Sequence, residues 1–126
     1  MKNLFTSYQI ALIAKEKGFN EPCFRQIGTS SKAVYNYGIK KNSDLEVEAV
    51  ITLPLYQQVV DWLEIKGVSI WAYPVYRAEN IAFFKVNMAK YYTEIDTQQL
   101  FGLMKDTFST KEEALNKAIE EAFKLI

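Results

Sequence analysis

Histidine is absent from this 126-residue chain, and cysteine occurs once, as Cys23. Without histidine no side chain has an unperturbed pKa near neutrality, which removes histidine-based acid–base and triad chemistry. A zinc centre would need carboxylates beside a single thiolate, an unusual ligand set, so neither a metal nor any other cofactor is expected. A lone cysteine closes no internal disulfide, which argues against a stapled secreted scaffold. Glycine is sparse too: Gly18, Gly28, Gly38, Gly67 and Gly102 are scattered and form no phosphate-cradling loop. Charge of one sign is missing as well, since 15 basic and 15 acidic residues cancel and no global field draws the chain to nucleic acid or membrane. The apolar stretch Ile10–Ala14 runs straight into Lys15-Glu16-Lys17. It is too short for a signal peptide or a membrane span, so an intracellular, cytoplasmic protein is expected.

What is present suits a single domain over residues 1–126. Hydrophobic residues make up 49% and charged residues 24%, enough apolar surface to offset the entropy of ordering the chain. Three helices are marked by their ends. The first starts at Thr6 or Ser7: Thr6-Ser7-Tyr8-Gln9 fits a capping box, with Phe5 and Ile10 at hydrophobic-staple positions, and Gly18-Phe19 supplies a Schellman-type stop. Pro54 sits near the first turn of the second helix, Leu55, Val59, Trp62 and Leu63 form its apolar stripe, and Gly67-Val68 ends it. Ser109-Thr110-Lys111-Glu112-Glu113 offers two overlapping capping boxes for the third. There Ala114/Leu115, Ala118/Ile119 and Ala122/Phe123 recur along one face, with Glu113–Lys117 and Glu120–Lys124 as candidate ion pairs opposite.

Strand-like alternation covers Ala33–Ile39 and Glu46–Ile51, joined by the polar Lys40–Asp44 as a hairpin loop. A second hairpin spans Val68–Arg77 and Ile81–Met88, turning at Ala78-Glu79-Asn80. Pro74 requires its first arm to be an edge strand or to carry a bulge. Tyr91–Asp106 is ambiguous between a short helix over Thr97–Lys105 and an ordered loop. The order predicts an α+β domain: an antiparallel sheet of three to four strands from two hairpins, with about three helices mainly on one face.

The candidate sites are few. Glu46/Glu48 and Glu94/Asp96 are carboxylates spaced by two, which an extended segment would project from one face, but such pairs ordinarily form a solvated surface. Cys23 has no thiolate-stabilising histidine and reads as a packing residue after Pro22. No catalytic residue is assigned, and an enzyme is not expected. The second hairpin is apolar or aromatic on both faces. One face serves the core, and the other needs cover from another element, a second subunit or a ligand. Trp71, Tyr73, Tyr76 and Phe84 are therefore candidate partner-binding residues. Residues 1–41 hold 7 basic and 2 acidic residues, +5, against 8 and 13 in the remainder, −5. Lys15, Lys17, Arg25, Lys32, Lys40 and Lys41 are accordingly candidate nucleic-acid-binding residues if they gather on one face. With only Arg25 and Arg77 as arginines, specific phosphate recognition is disfavoured.

Ser7-Tyr8-Gln9-Ile10-Ala11-Leu12, Lys15–Phe24 with its Gly-Phe-x-Glu-Pro-Cys, Leu53–Leu63 with its Tyr-Gln-Gln-x-x-x-Trp, and Thr110–Ala114 together resemble a family of small uncharacterised proteins of Bacteroidetes phages and prophages. The resemblance spans nearly the whole chain and carries no catalytic residues. It implies a phage or prophage accessory protein acting in the bacterial host cytoplasm. The leading expectation is a non-enzymatic module engaged in protein–protein interaction, with an unknown protein partner or as a homodimer and with no membrane association. The alternative is a single-stranded nucleic-acid-binding protein using the basic N-terminal third and the sheet aromatics.

Overall fold

The computed structural model describes residues 4–45, 49–77, 80–90 and 107–126; Arg77, 80–83 and 86–90 are described by backbone alone. The fold is α+β, with three helices and two small antiparallel sheets. Two compact units, Met1–Val59 and Val60–Ile126, make up the chain.

In the first unit, helix α1 (Tyr8–Glu16) is followed by strands β1 (Arg25–Gly28), β2 (Val34–Tyr35) and β3 (Val50–Leu53). Ser7 caps α1, its Oγ accepting from the Ile10 N–H at 3.3 Å. Of the two starts that the sequence allows, the cap falls on Ser7 and not on Thr6. Thr6 is committed elsewhere, its N–H and hydroxyl both donating to the Pro54 carbonyl at 2.9 and 3.0 Å. The other end closes as expected. Gly18 takes φ +95°, Gly18 N–H donates to Lys15 O, and Phe19 N–H donates to Ala14 O, which is the Schellman pattern.

The sheet order is β2-β1-β3. The two alternating runs flagged in the sequence therefore do not pair with each other; β1 lies between them, with Ile27 opposite both Val34 and Ile51. Residues 46–48, including Glu46 and Glu48, lie outside the described residues. Ala11 of α1 packs with Ile27, Ile51 and Leu53 on one face of this sheet, and Phe5, Tyr8 and Leu12 fill in around them. Asn42, in a 3-10 turn (Asn42–Asp44), closes the outer edge of β3. Its amide donates to Phe19 O at 2.9 Å and accepts from Thr52 N–H at 3.0 Å. Capping of this kind satisfies backbone groups that an open edge would leave unpaired.

Helix α2 (Tyr56–Ile65) starts in the first unit and ends in the second. Gln58 donates no residue to its apolar stripe but steadies its start, accepting from Leu55 N–H at 2.9 Å. Val59, Trp62 and Leu63 are buried as the stripe predicted, and Gly67 ends the helix at φ +96°.

The second unit contains strands β4 (Val68–Arg77) and β5 (Asn80–Lys90) and helix α3 (Lys111–Phe123). Helix α3 packs against both strands through the expected face, with Ala114, Leu115, Ala118, Ile119, Ala122 and Phe123 all buried. Thr110 is its N-cap, accepting from Glu113 N–H at 3.2 Å, while the Glu113 carboxylate reaches back to Ser109 N–H at 3.2 Å. The expected Glu113–Lys117 and Glu120–Lys124 pairs are replaced by one acceptor. Glu121 bridges Lys117 at 3.3 Å and Lys124 at 3.1 Å, and its hydrogen bond to Lys124 holds the carboxyl below its ordinary range. Residues 91–106, with Glu94, Asp96 and the ambiguous 97–105 stretch, lie outside the described residues, as do 78 and 79 of the hairpin turn.

Candidate functional site

Alternation along β4 separates its two faces. Val68 and Ile70 are buried, in a strand against which α3 packs, whereas Trp71, between them and Tyr73, is 46% exposed. Trp71, Tyr73 and Val75 point the same way because successive strand side chains alternate. Trp71 lies opposite Asn87 and Tyr73 opposite Lys85 on β5. The hairpin is thus closed by a helix on one side, while its aromatic side is left partly open.

Pro74 explains part of this geometry. It sits opposite Phe84, whose N–H and C=O both turn outward to exchange hydrogen bonds with Phe108 at 2.8 and 3.0 Å. The Pro74–Phe84 pair is therefore a non-hydrogen-bonded one, and the missing proline N–H costs the ladder nothing. The register shifts between Val75 and Tyr76, so the strand meets both conditions expected of a proline-containing arm.

These facts divide the four aromatic candidates. Trp71 and Tyr73 share the open face. Phe84 belongs to the opposite, helix-covered face and is half-buried. Tyr76 lies beyond the register shift and is 58% exposed.

The six cationic candidates are dispersed. Lys15 and Lys17 mark the C-terminal end of α1, and Lys32 its start, where the ammonium stands 3.3 Å from the Tyr8 ring centroid. Nine helical residues separate those ends by about 13 Å. Arg25 lies over the Phe5 ring at 4.3 Å, a cation–π contact. Lys40 exchanges backbone hydrogen bonds with Cys23, and Lys41 N–H donates to Asp44 Oδ2. The sequence's basic third does not converge on one point.

Sequence reasoning did not single out four further exposed apolar side chains. Phe24, Val34, Tyr37 and Ile39 are each more than half exposed in the first unit. Gln26, fully buried, holds the Tyr37–Gly38 backbone: its Nε2 donates to Gly38 O at 3.0 Å, and its Oε1 accepts from Tyr37 N–H at 2.9 Å. Tyr37 stacks on Tyr35 with centroids 5.1 Å apart and planes 9° from parallel. The period-two alternation of Ala33–Ile39 was the available signal, but it reads as a half-buried strand. The actual strand stops after Val34–Tyr35.

Cys23 is a buried packing residue, as its sequence context suggested. Burial, above all, pushes its thiol up to about 11; the nearby Thr52 hydroxyl opposes the rise and Glu21 adds to it. The thiol donates to Glu21 O at 3.4 Å. Thr52 Oγ1 forms no hydrogen bond of ordinary geometry among the described residues, so its hold on the thiol is slight. Such a thiol is a poor nucleophile at neutral pH. Among the described residues no group of histidine, cysteine, aspartate or glutamate is placed to hold a metal ion, and no helix is long and apolar enough to cross a membrane. Compared with models of known protein families, with curated proteins and with solved structures, the chain matches none.

Proposed function

We propose that this chain is a non-enzymatic protein-binding module of the phage or prophage accessory type, working in the bacterial cytoplasm. The observation that carries the reading is the half-exposed Trp71 beside Tyr73 on the hairpin face that α3 does not cover. Tryptophan and tyrosine are the residues that most often anchor protein interfaces, because they bury large area at low entropic cost. The dispersion of the six cations, with Arg25 and Lys32 held over the Phe5 and Tyr8 rings, favours this reading over the nucleic-acid one.

The test is affinity capture from bacterial lysate with and without nuclease, comparing the native chain with Trp71→Ala. A nuclease-resistant protein partner, or self-association seen by sedimentation, should be retained by the native chain and lost from the variant. Truncating an interface anchor costs about 2 kcal/mol or more of binding, while a half-exposed side chain leaves the melting midpoint nearly unchanged. A large fall in melting temperature would assign Trp71 to the core. Capture abolished by nuclease would put the nucleic-acid reading first.

A further inference from the structure

We propose that the first unit self-associates through the outer edge of β2, which pairs antiparallel with the same edge of a second copy of this chain and places Tyr35 at the two-fold axis. The edge belongs to the first unit and involves no residue of the hairpin.

The edge is extended, exposed and unpaired. Gly28 N–H donates to Ala33 O, and Ile27 lies opposite Val34. That spacing makes Gln26 and Tyr35 a hydrogen-bonded pair of the ladder. Two residues on, Tyr37 N–H also turns inward, to Gln26 Oε1 at 2.9 Å. In a trans peptide the N–H and the C=O point opposite ways. The inward C=O of Ala33 and Tyr35, with the inward N–H of Tyr35 and Tyr37, therefore direct both backbone groups of Val34 and both of Asn36 away from β1. Among the described residues nothing is hydrogen-bonded to these outward groups. Val34 is 53% exposed, and Ala33 and Asn36 are exposed as well. Across the sheet Asn42 closes the edge of β3, so the site for an added strand is on β2.

This stretch fits a copy of itself. Left-handed backbone bounds it on both sides, Lys32 at φ 57° and Gly38 at φ 96°, which leaves Ala33–Tyr37 extended with Tyr35 at its centre. Antiparallel pairing about Tyr35 sets Val34 opposite Asn36 of the second copy and Asn36 opposite its Val34. Every outward group of both copies is then hydrogen-bonded. A shift of two residues either way would set Val34 opposite Gly38 or Asn36 opposite Lys32, neither of them extended, and would forfeit half of those bonds.

Side chains and charge agree with this register. Tyr35 meets its own counterpart across a non-hydrogen-bonded pair, with about 4.5 Å between Cα atoms. Tyr37, 56% exposed, falls opposite the small Ala33 of the second copy. Aromatic pairs of this kind stabilise antiparallel ladders. Ala33–Ile39 carries no charged residue. The two-fold axis therefore brings no like charges together at its centre, and nothing within the stretch selects a partner of either sign. Proteins ordinarily blunt an uncharged, exposed edge with a lysine, a proline or a bulge, and Ala33–Tyr37 has none of these. Pairing joins two three-stranded sheets into one of six strands, with both copies of α1 on the same face.

Sedimentation velocity of the full chain over a range of concentrations tests the proposal, and a monomer–dimer equilibrium is expected. Asn36→Pro removes an N–H that the folded chain leaves unbonded, so circular dichroism should find the variant folded. It should sediment as a monomer where the native chain is dimeric. Asn36→Ala keeps that N–H and should dimerise as the native chain does. Tyr35→Cys should form an intermolecular disulfide on mild oxidation, because the facing Cα atoms fall within disulfide range. Ala33→Cys should not, since its counterpart lies about 13 Å away along the strand. The native Cys23 is buried and does not compete. Trp71→Ala should leave the dimer intact. A native chain that stays monomeric, a dimer that survives Asn36→Pro, or cross-linking of Ala33→Cys in place of Tyr35→Cys would each overturn the proposal. A dimer lost from Trp71→Ala but kept by Asn36→Pro would move self-association to the hairpin. Capture of a different protein by a monomeric chain would leave the hairpin reading standing while this one falls.

Discussion

Replacing Gln26 with methionine keeps the length of the side chain and removes both of its hydrogen bonds. The native amide donates to Gly38 O and accepts from Tyr37 N–H at 3.0 and 2.9 Å, and Gln26 is fully buried. Each such bond contributes about 0.5–1.5 kcal/mol net, with a further 1–3 kcal/mol if its partner is left buried and unsatisfied. Tyr37 and Gly38 are exposed, so water can take over at their backbone groups and the second penalty falls away. The expected cost is therefore the sum of two net bonds reduced by methionine's own burial, about 1–2 kcal/mol. The effect should be local. Hydrogen exchange at the Tyr37 amide should accelerate by about tenfold or more, while amides of α1 such as Ala14 change little. Unchanged exchange at Tyr37 would refute the assignment of Gln26 as the clamp on this segment. Gln26→Glu sharpens the test. Its protonated form can still donate to Gly38 O, but its carboxylate would face that carbonyl from a buried position, so its folded-state pKa rises. Stability should then be present below the unfolded value and be lost as pH rises through the folded one. A flat pH profile for this variant would contradict the geometry.

Other outcomes follow from the same structure. A Cβ at Gly28 would lie 2.4 Å from Ser31 Oγ, which accepts from Ala33 N–H, so Gly28→Ala should destabilise the β1–β2 turn, and Ser31→Ala should rescue part of that loss in thermal melts. Gly18 has open space around its missing side chain, so Gly18→Ala should cost only the left-handed backbone strain, about 1 kcal/mol by urea unfolding. The thiol of Cys23 is raised from 9.0 to about 11 in the folded chain. The native state then holds the proton longer than the unfolded one. Stability should fall as pH rises between those values, by at most about 1.4 kcal/mol per pH unit, and Cys23→Ala should remove that slope. Glu121 is shifted the other way, so its contribution should be complete above the unfolded carboxylate pKa and fade as pH falls through the folded one. Glu121→Gln should flatten the acid limb of the melting profile by a small amount, since its partners are largely solvated.

Helix boundaries were legible because they are local chemistry. A glycine at the left-handed position, a threonine hydroxyl within reach of the third amide, and apolar residues at four-residue intervals all act within one or two turns. Gly18, Gly67, Thr110 and the Ala114–Phe123 face were accordingly readable in one dimension. So was the Pro74 arm, since a residue without an N–H can enter a ladder only where none is needed. Choices among local options were not readable. Thr6 could cap α1 as well as Ser7 until the Pro54 carbonyl, 48 residues away, claimed its hydroxyl. Lys117 lies four residues from both Glu113 and Glu121, and the packed helix directs it to the latter. Strand β1 escaped notice because four residues with one charged end carry too little periodicity, and its identity rests on pairing with Val50–Leu53. The aromatic character of both hairpin faces belongs to the amino-acid order of β4 and β5. Which face stays open was settled by the docking of α3, because burial is a property of neighbours in space and not of neighbours along the chain.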